Sequence, residues 1–110
     1  MARISTHVLD VSRGKPAPGI AVELRRDDIS IATATTNADG RTDAPLLSAD
    51  ALPVGQYELI FKAGPYLTAT GAAPLFFDEI KLQFHVNDAQ GNYHVPLLLA
   101  AHGYSTYRGS

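Results

Sequence analysis

The chain has 110 residues, 9 basic and 11 acidic side chains, a formal net charge of −2, and no cysteine or tryptophan. The lack of cysteine excludes a disulfide scaffold, a thiolate-bound metal and a cysteine nucleophile, and the balanced charge argues against a nucleic-acid partner. A chain of this length can bury one hydrophobic core without covalent staples, and a hydrophobic content of 45% is too high for a disordered protein. We therefore expect one domain, residues 1–110.

Short segments rich in β-branched and aromatic residues alternate with turns marked by glycine and proline, a pattern typical of all-β proteins. The clearest alternation runs over Glu79–Val86, where even-numbered positions are apolar and odd-numbered positions are polar. One short helix is predicted over Pro65–Thr70, because proline suits a first helical turn and Gly71 suits the position after a last one. The predicted strands, in chain order, cover Ile4–Val11, Ile20–Arg25, Ile31–Thr36, Gln56–Lys62, Glu79–Val86, Tyr93–Leu99 and Tyr104–Arg108. Seven to eight short strands with one helix predict an antiparallel β-sandwich.

The start of the sequence is not typical of a signal peptide, because His7 and Asp10 interrupt the apolar residues that follow Arg3. The longest apolar run, Val95–Ala101, has only the length of a strand and contains Pro96. We therefore expect a cytoplasmic protein with no membrane partner.

The histidines are the main candidates for chemistry, and no local catalytic motif groups them, so any site must combine distant segments. His85 falls on the polar face of its predicted strand, which favours a solvated structural role. His94 falls on the face opposite the core, together with Pro96 and Leu98, and an apolar outer face is typical of a contact surface. For His7 the alternation does not decide between an inward and an outward orientation.

Four segments, in order along the chain, resemble the motifs of a known family. They are Ser5–Asp10 (Ser-Thr-His-Val-Leu-Asp), Thr36–Arg41 (Thr-Asn-Ala-Asp-Gly-Arg), Tyr93–Leu99, and Gly103–Ser110, which ends in Tyr-Arg-Gly-Ser. The family is that of 5-hydroxyisourate hydrolase, the transthyretin-related enzymes of urate breakdown. Transthyretin itself, a hormone carrier, lacks the histidine and terminal signatures. The resemblance therefore implies a transthyretin-like β-sandwich on the enzyme side of this division.

Three positions depart from the family pattern. Asp78 and Ala101 stand where proline is common, and His102 stands where an aromatic residue is common. None of the three is a residue to which the resemblance assigns catalysis.

The resemblance implies hydrolysis of 5-hydroxyisourate to 2-oxo-4-hydroxy-4-carboxy-5-ureidoimidazoline by attack of water on a ring carbonyl. His7 and His94 would activate the water and handle the proton of the ring nitrogen, and which of them is the base stays open. Arg41 would bind and polarise the substrate. Ser110 would position substrate or water through its hydroxyl or terminal carboxylate.

Two further residues of the last segment are expected to contact the substrate. Tyr107 and Arg108 would form part of the wall of the binding site, and Arg108 could be a second clamp for an anion. The implied reaction needs no cofactor and no metal. A zinc site with His7, His94 and either an aspartate or His102 is the less favoured alternative, since the spacing matches no ligand motif.

The family's protomers pair, and the pairs form a homotetramer, a dimer of dimers with its sites in a channel between the dimers. The outward placement of His94 agrees with such a contact surface. The main alternative function is a non-enzymatic carrier of small ligands on the same fold. A structural or adhesive sandwich is the third possibility, and the expected cytoplasmic location argues against it.

Overall fold

Two β-sheets face each other across a hydrophobic core in the computed structural model, which describes residues Met1–Ser110. The strands are β1 (Ala2–Asp10), β2 (Lys15–Pro16), β3 (Ala21–Arg26), β4 (Ile29–Thr35), β5 (Leu47–Ala49), β6 (Gly55–Lys62), β7 (Glu79–Val86), β8 (Asn92–Leu99) and β9 (Tyr104–Thr106). One sheet has the order β2-β1-β8-β9 with β5 also paired to β1, and the other has the order β4-β3-β6-β7. The predicted sandwich with one short helix is confirmed.

The alternation seen in the sequence places the apolar side chains between the sheets. A cluster of 21 buried residues forms the core. On β3, for example, Val22 and Leu24 are buried and Glu23 between them is only half-buried. On β7, Ile80 and Leu82 are buried in the same way. Burial of such side chains is the main favourable term in folding.

Two features of the sheets differ from the prediction. The strands β2 and β5 were not predicted, because elements of two and three residues are too short to show a pattern. The strands β1 and β8 pair in parallel, from Arg3 opposite Asn92 to Asp10 opposite Leu99, whereas all other pairs are antiparallel. No hairpin links these two strands, so no tight turn imposes an antiparallel direction on them.

The helix α1 covers Gly64–Ala69, close to the predicted Pro65–Thr70. Pro65 lies in its first turn. Gly71 follows its end with a φ of +93°, a backbone conformation that residues other than glycine rarely adopt. The Tyr66 hydroxyl donates a hydrogen bond of 2.7 Å to Oδ2 of the buried Asp10, which fastens the helix to the end of β1. No helix of the protein has the length and apolar character needed to cross a bilayer.

The last strand ends earlier than the sequence predicts. β9 stops at Thr106, not at Arg108, and the residues that follow stay beside β8, where the Gly109 amide donates to the His94 carbonyl at 2.7 Å. The Thr106 hydroxyl donates to the Pro96 carbonyl at 2.7 Å. Pro96 is buried, and a Cβ on Gly109 would stand 3.4 Å from its Cγ, whereas the sequence placed Pro96 on an outer face typical of a contact surface. The last segment of the chain therefore covers part of that face from within the same subunit.

Candidate active site

The parallel pairing of β1 and β8 brings two of the candidate histidines together. Ser5 lies directly opposite His94, and His7 lies opposite Pro96. Paired residues project to the same side of a sheet, and the alternate residues Thr6 and Val95 are buried, so both histidines project away from the core. This placement confirms the outward orientation expected for His94 and settles the one that the sequence left open for His7.

The loop between β4 and β5 adds Arg41 beside His7. An isolated antiparallel bridge joins Arg41 to His7, and the Val8 amide donates to the Gly40 carbonyl at 2.8 Å. The side chain of Asn37 organises the loop, because its Oδ1 accepts the amides of Asp39 at 2.9 Å and of Arg41 at 3.3 Å. The loop therefore holds Arg41 against β1 through its backbone and leaves the guanidinium free.

Gly40 makes this close approach of loop and strand possible. Its φ is +73°, and a Cβ there would collide with the Val8 carbonyl. Only glycine satisfies both conditions. In the second motif, Gly40 thus allows the backbone to approach β1 closely, and the Arg41 side chain is available for chemistry.

The last four residues close the other side of the site. The Gly109 amide donates to the His94 carbonyl at 2.7 Å. The Arg108 guanidinium lies 4.3 Å from the ring centroid of Tyr93 and donates to the Asn92 carbonyl at 3.2 Å. These contacts dock the segment along β8 and bring its side chains next to His94.

A cleft of about 520 Å³ lies where these parts meet. Five of the six residues singled out from the sequence line it, and His7 stands beside it at the bridge to Arg41. The lining residues from that set are Arg41, His94, Tyr107, Arg108 and Ser110. Sequence motifs that are far apart along the chain therefore converge on one cleft.

The cleft has a strongly cationic wall. Arg3, Arg41 and Arg108 all line it, and none of them forms an ion pair with an acidic side chain. Asp43, also in the wall, instead accepts a hydrogen bond of 2.9 Å from the Asn37 side chain. Unpaired guanidinium groups in a cleft favour an anionic or carbonyl-rich ligand.

The surroundings of His7 and His94 favour the neutral form of both side chains. Burial lowers the pKa of His94 below its ordinary 6.5, and the charges of Arg41, His7 and Arg3 lower it further. Burial, followed by the charge of Arg41, also lowers the pKa of His7, against a smaller opposing effect of Asp39. A neutral imidazole has a free lone pair at physiological pH, so each ring can accept a proton.

Two residues of this site were missed in the sequence. Ser5 and Arg3 line the cleft, and the Ser5 hydroxyl lies 2.8 Å from Nδ1 of His94. Arg3 and Ser5 occupy odd-numbered positions of β1, as His7 does. This alternation puts the three residues on the same face of the sheet and could have identified Arg3 and Ser5 as site residues.

The other two histidines lie apart from this cleft. His85 is exposed on β7, as its alternation predicts. His102 packs near Phe76, with ring centroids 6.2 Å apart. The structure contains no group of three or more histidine, cysteine or acidic side chains that could hold a metal ion.

Comparison with known proteins places this architecture in a family. The family model for HIUase/transthyretin matches residues 4–109. The chain is 48% identical to 5-hydroxyisourate hydrolase of Mesorhizobium japonicum over 98% of its own length and 92% of the relative's, and 45% identical to 5-hydroxyisourate hydrolase 2 of Rhizobium meliloti over 98% and 96%. Among solved structures, 5-hydroxyisourate hydrolase of Klebsiella pneumoniae superposes with a TM-score of 0.88 at 38% identity and full coverage of both chains. Transthyretin of Sparus aurata superposes with a TM-score of 0.86 at 26% identity, covering 99% of this chain and 97% of that one. The chain belongs to the HIUase/transthyretin family.

Proposed function

We propose that the protein hydrolyses 5-hydroxyisourate in urate degradation, opening the ring to give 2-oxo-4-hydroxy-4-carboxy-5-ureidoimidazoline. The observation that carries this proposal is one cleft that combines His94, Arg41 and the last four residues, with His7 at its edge. The three relatives reported above as hydrolases of this substrate are 38%, 45% and 48% identical to the chain, whereas the transthyretin of Sparus aurata is 26% identical. The sequence similarity thus favours the enzyme over the carrier.

The reaction breaks a cyclic amide C–N bond with water as the nucleophile. Neutral water attacks a carbonyl slowly, so a base must remove its proton as the new C–O bond forms. The paired histidines supply that base, because both are held neutral beside the cleft. The proton then passes to the ring nitrogen as the C–N bond breaks, and the net reaction adds one water across that bond.

The arginines bind the substrate and stabilise the charge that develops on its oxygen. Arg41 is fixed at its backbone next to His7 and has no acidic partner, so its guanidinium is available to polarise the attacked carbonyl. Arg108 provides a further cation in the wall of the cleft, and the Ser110 hydroxyl can orient water or substrate. Tyr107 completes the wall of the cleft.

We also propose that the cleft is completed in a homotetramer, a dimer of dimers. In the single subunit Tyr107 has 57% of its surface exposed, although it lines the cleft. A second subunit over this face would exclude water and strengthen the electrostatic contacts to the substrate. Size-exclusion chromatography with light scattering tests the assembly: a tetramer supports it, and a monomer at assay concentration contradicts it.

The activity is tested by adding the protein to freshly generated 5-hydroxyisourate. Because this substrate decays spontaneously, both the rate of ring opening and the optical activity of the product must be followed. We expect faster decay to a single enantiomer, with loss of the acceleration in His7→Ala, Arg41→Ala and His94→Ala. His85→Ala is the matched control, since His85 is an exposed histidine of the other sheet. Wild-type rates in all three site variants would refute the site, and no acceleration by the wild-type protein would favour the carrier.

A further inference from the structure

The Ser5 hydroxyl is the hydrogen-bond partner of a histidine ring in the cleft. Ser5 lies opposite His94 in the β1–β8 ladder, and its Oγ is 2.8 Å from Nδ1 of the imidazole. The hydrogen bond is partly buried, so water competes for it less than at an open surface.

The opposite edge of the His94 ring is held by the last segment of the chain. The Gly109 amide donates to the His94 carbonyl at 2.7 Å, and a Cβ on Gly109 would stand only 2.6 Å from Cδ2 of the ring. A half-turn of the ring would exchange Nδ1 and Cδ2 and would break the bond to Ser5. In the observed orientation Nδ1 faces Ser5 and Cδ2 faces Gly109, and Nε2 has no hydrogen-bond partner in the protein.

Which of the two atoms, Oγ of Ser5 or Nδ1 of His94, donates depends on the tautomer of the neutral ring, and the protein groups around the hydroxyl favour one of the two tautomers. The Ser5 hydroxyl has no other acceptor in the protein, whereas an unprotonated Nδ1 can accept its proton. The reverse arrangement, in which Nδ1–H donates to Oγ, leaves the hydroxyl proton without a protein acceptor. If Ser5 donates to Nδ1, the single proton of neutral His94 lies on Nε2.

We propose that Ser5 is a positioning residue that holds neutral His94 as the Nε2–H tautomer, so that His94 donates a hydrogen bond to the substrate and His7 is the base. This inference rests on the hydrolase function proposed above. A neutral imidazole is a very weak acid, so Nε2–H stabilises the developing oxyanion as a hydrogen-bond donor without giving up its proton. Burial and the charges of Arg41 and Arg3 support the neutral state of this ring, because they lower its pKa.

The division of roles gives a balanced sequence of proton transfers. His7 takes a proton from water while the water oxygen forms a bond to the carbonyl carbon, and His7 becomes an imidazolium. The oxyanion of the tetrahedral intermediate is held by Nε2–H of His94 and by Arg41. The oxyanion then reforms the carbonyl, the C–N bond breaks, and the His7 imidazolium gives its proton to the departing ring nitrogen. One histidine thus serves first as base and then as acid.

The tautomer can be measured directly, without substrate, by nitrogen NMR of protein that carries ¹⁵N-labelled histidine, with His94→Ala to assign the signals. We expect a protonated Nε2 and an unprotonated Nδ1 for His94 in the wild-type protein and in Ser5→Thr, which keeps the hydroxyl. In Ser5→Ala we expect a mixture of tautomers. A protonated Nδ1 in the wild-type protein would overturn the inference, whatever the activity of the protein proves to be.

Measurements of kcat and KM distinguish a positioning role of Ser5 from a role in substrate binding. In Ser5→Ala we expect kcat to fall about 10- to 100-fold, the range known for groups that orient metal-bound histidines, with little change in KM. Ser5→Thr should restore most of kcat. A wild-type kcat in Ser5→Ala would overturn the positioning role. A wild-type protein that shows the expected tautomer but no hydrolysis would instead refute the function proposed above, so the two failures are distinguishable.

Discussion

Gly109 sets the distance between the last segment of the chain and the His94 ring, and Gly109→Ala tests whether that distance matters. A Cβ at this position would lie 2.6 Å from Cδ2 of His94 and 3.4 Å from Cγ of Pro96. Carbon atoms in contact prefer separations of about 3.5–4.0 Å, so the new methyl group overlaps the ring by about 1 Å. Either the ring or the segment must move by that amount.

The expected effect is large on catalysis and small on stability. A displacement of about 1 Å at a catalytic group can cost roughly 100-fold in rate, so we expect a loss of that order in kcat/KM for 5-hydroxyisourate. Overpacking costs about 1–3 kcal/mol in a well-packed core, and the terminal segment can yield, so the change in unfolding free energy should lie at the low end. Rate measurements and thermal unfolding, performed on the same preparation, give both values.

A matched control lies in the same part of the chain. A Cβ on Gly103 meets no atom within 4 Å, and the φ of Gly103 is not in the left-handed region. Gly103→Ala should therefore keep both activity and stability. Wild-type activity in Gly109→Ala would refute the reasoning, since the ring would then tolerate a shift that the packing forbids. Equal losses in both variants would assign the effect to the flexibility of the segment and not to the contact with His94.

Three further predictions concern charge, the last segment and the helix contact. Arg3→Gln removes a cation that lowers the pKa of His94, so NMR titration should show that pKa rising towards 6.5, and an unchanged value would contradict the electrostatic role of Arg3. A variant that lacks Arg108–Ser110 should stay folded by circular dichroism but lose ring-opening activity, and full activity would exclude a role for these residues. Tyr66→Phe removes the donor to a carboxylate oxygen of buried Asp10, so denaturant unfolding should reveal a loss of about 1–3 kcal/mol without loss of activity, and an unchanged midpoint would show that the hydrogen bond contributes nothing.

The sequence predicts strand bounds and buried positions best where one side of a strand faces the core. The alternation over Glu79–Val86 agrees with the observed strand to the residue, because every second side chain must leave water. The outward placement of His94 follows from the same rule. The two-residue strand β2 shows no such pattern, since its formation depends on the edge that β1 offers it.

What the sequence does not reveal is which distant segments become neighbours. The Ser5–His94 contact joins residues 89 positions apart, and no local preference of either segment encodes the parallel register that creates it. The burial of Pro96 has the same origin, because Gly109, which lies against it, belongs to the end of the chain. The motifs predicted the candidate site residues, and the pairing of β1 with β8 explains how two of their segments meet at one cleft.

That pairing also has a consequence for synthesis on the ribosome. One edge of β1 has no partner until Asn92–Leu99 has emerged, and an unpaired strand edge invites association with other chains. At about 5–20 residues per second, the 89 positions between Ser5 and His94 correspond to roughly 4 to 18 seconds of translation. During this interval His7 has been made but His94 has not joined it. The first sheet is therefore incomplete through most of synthesis, and His7 and His94 become neighbours only when β8 pairs with β1.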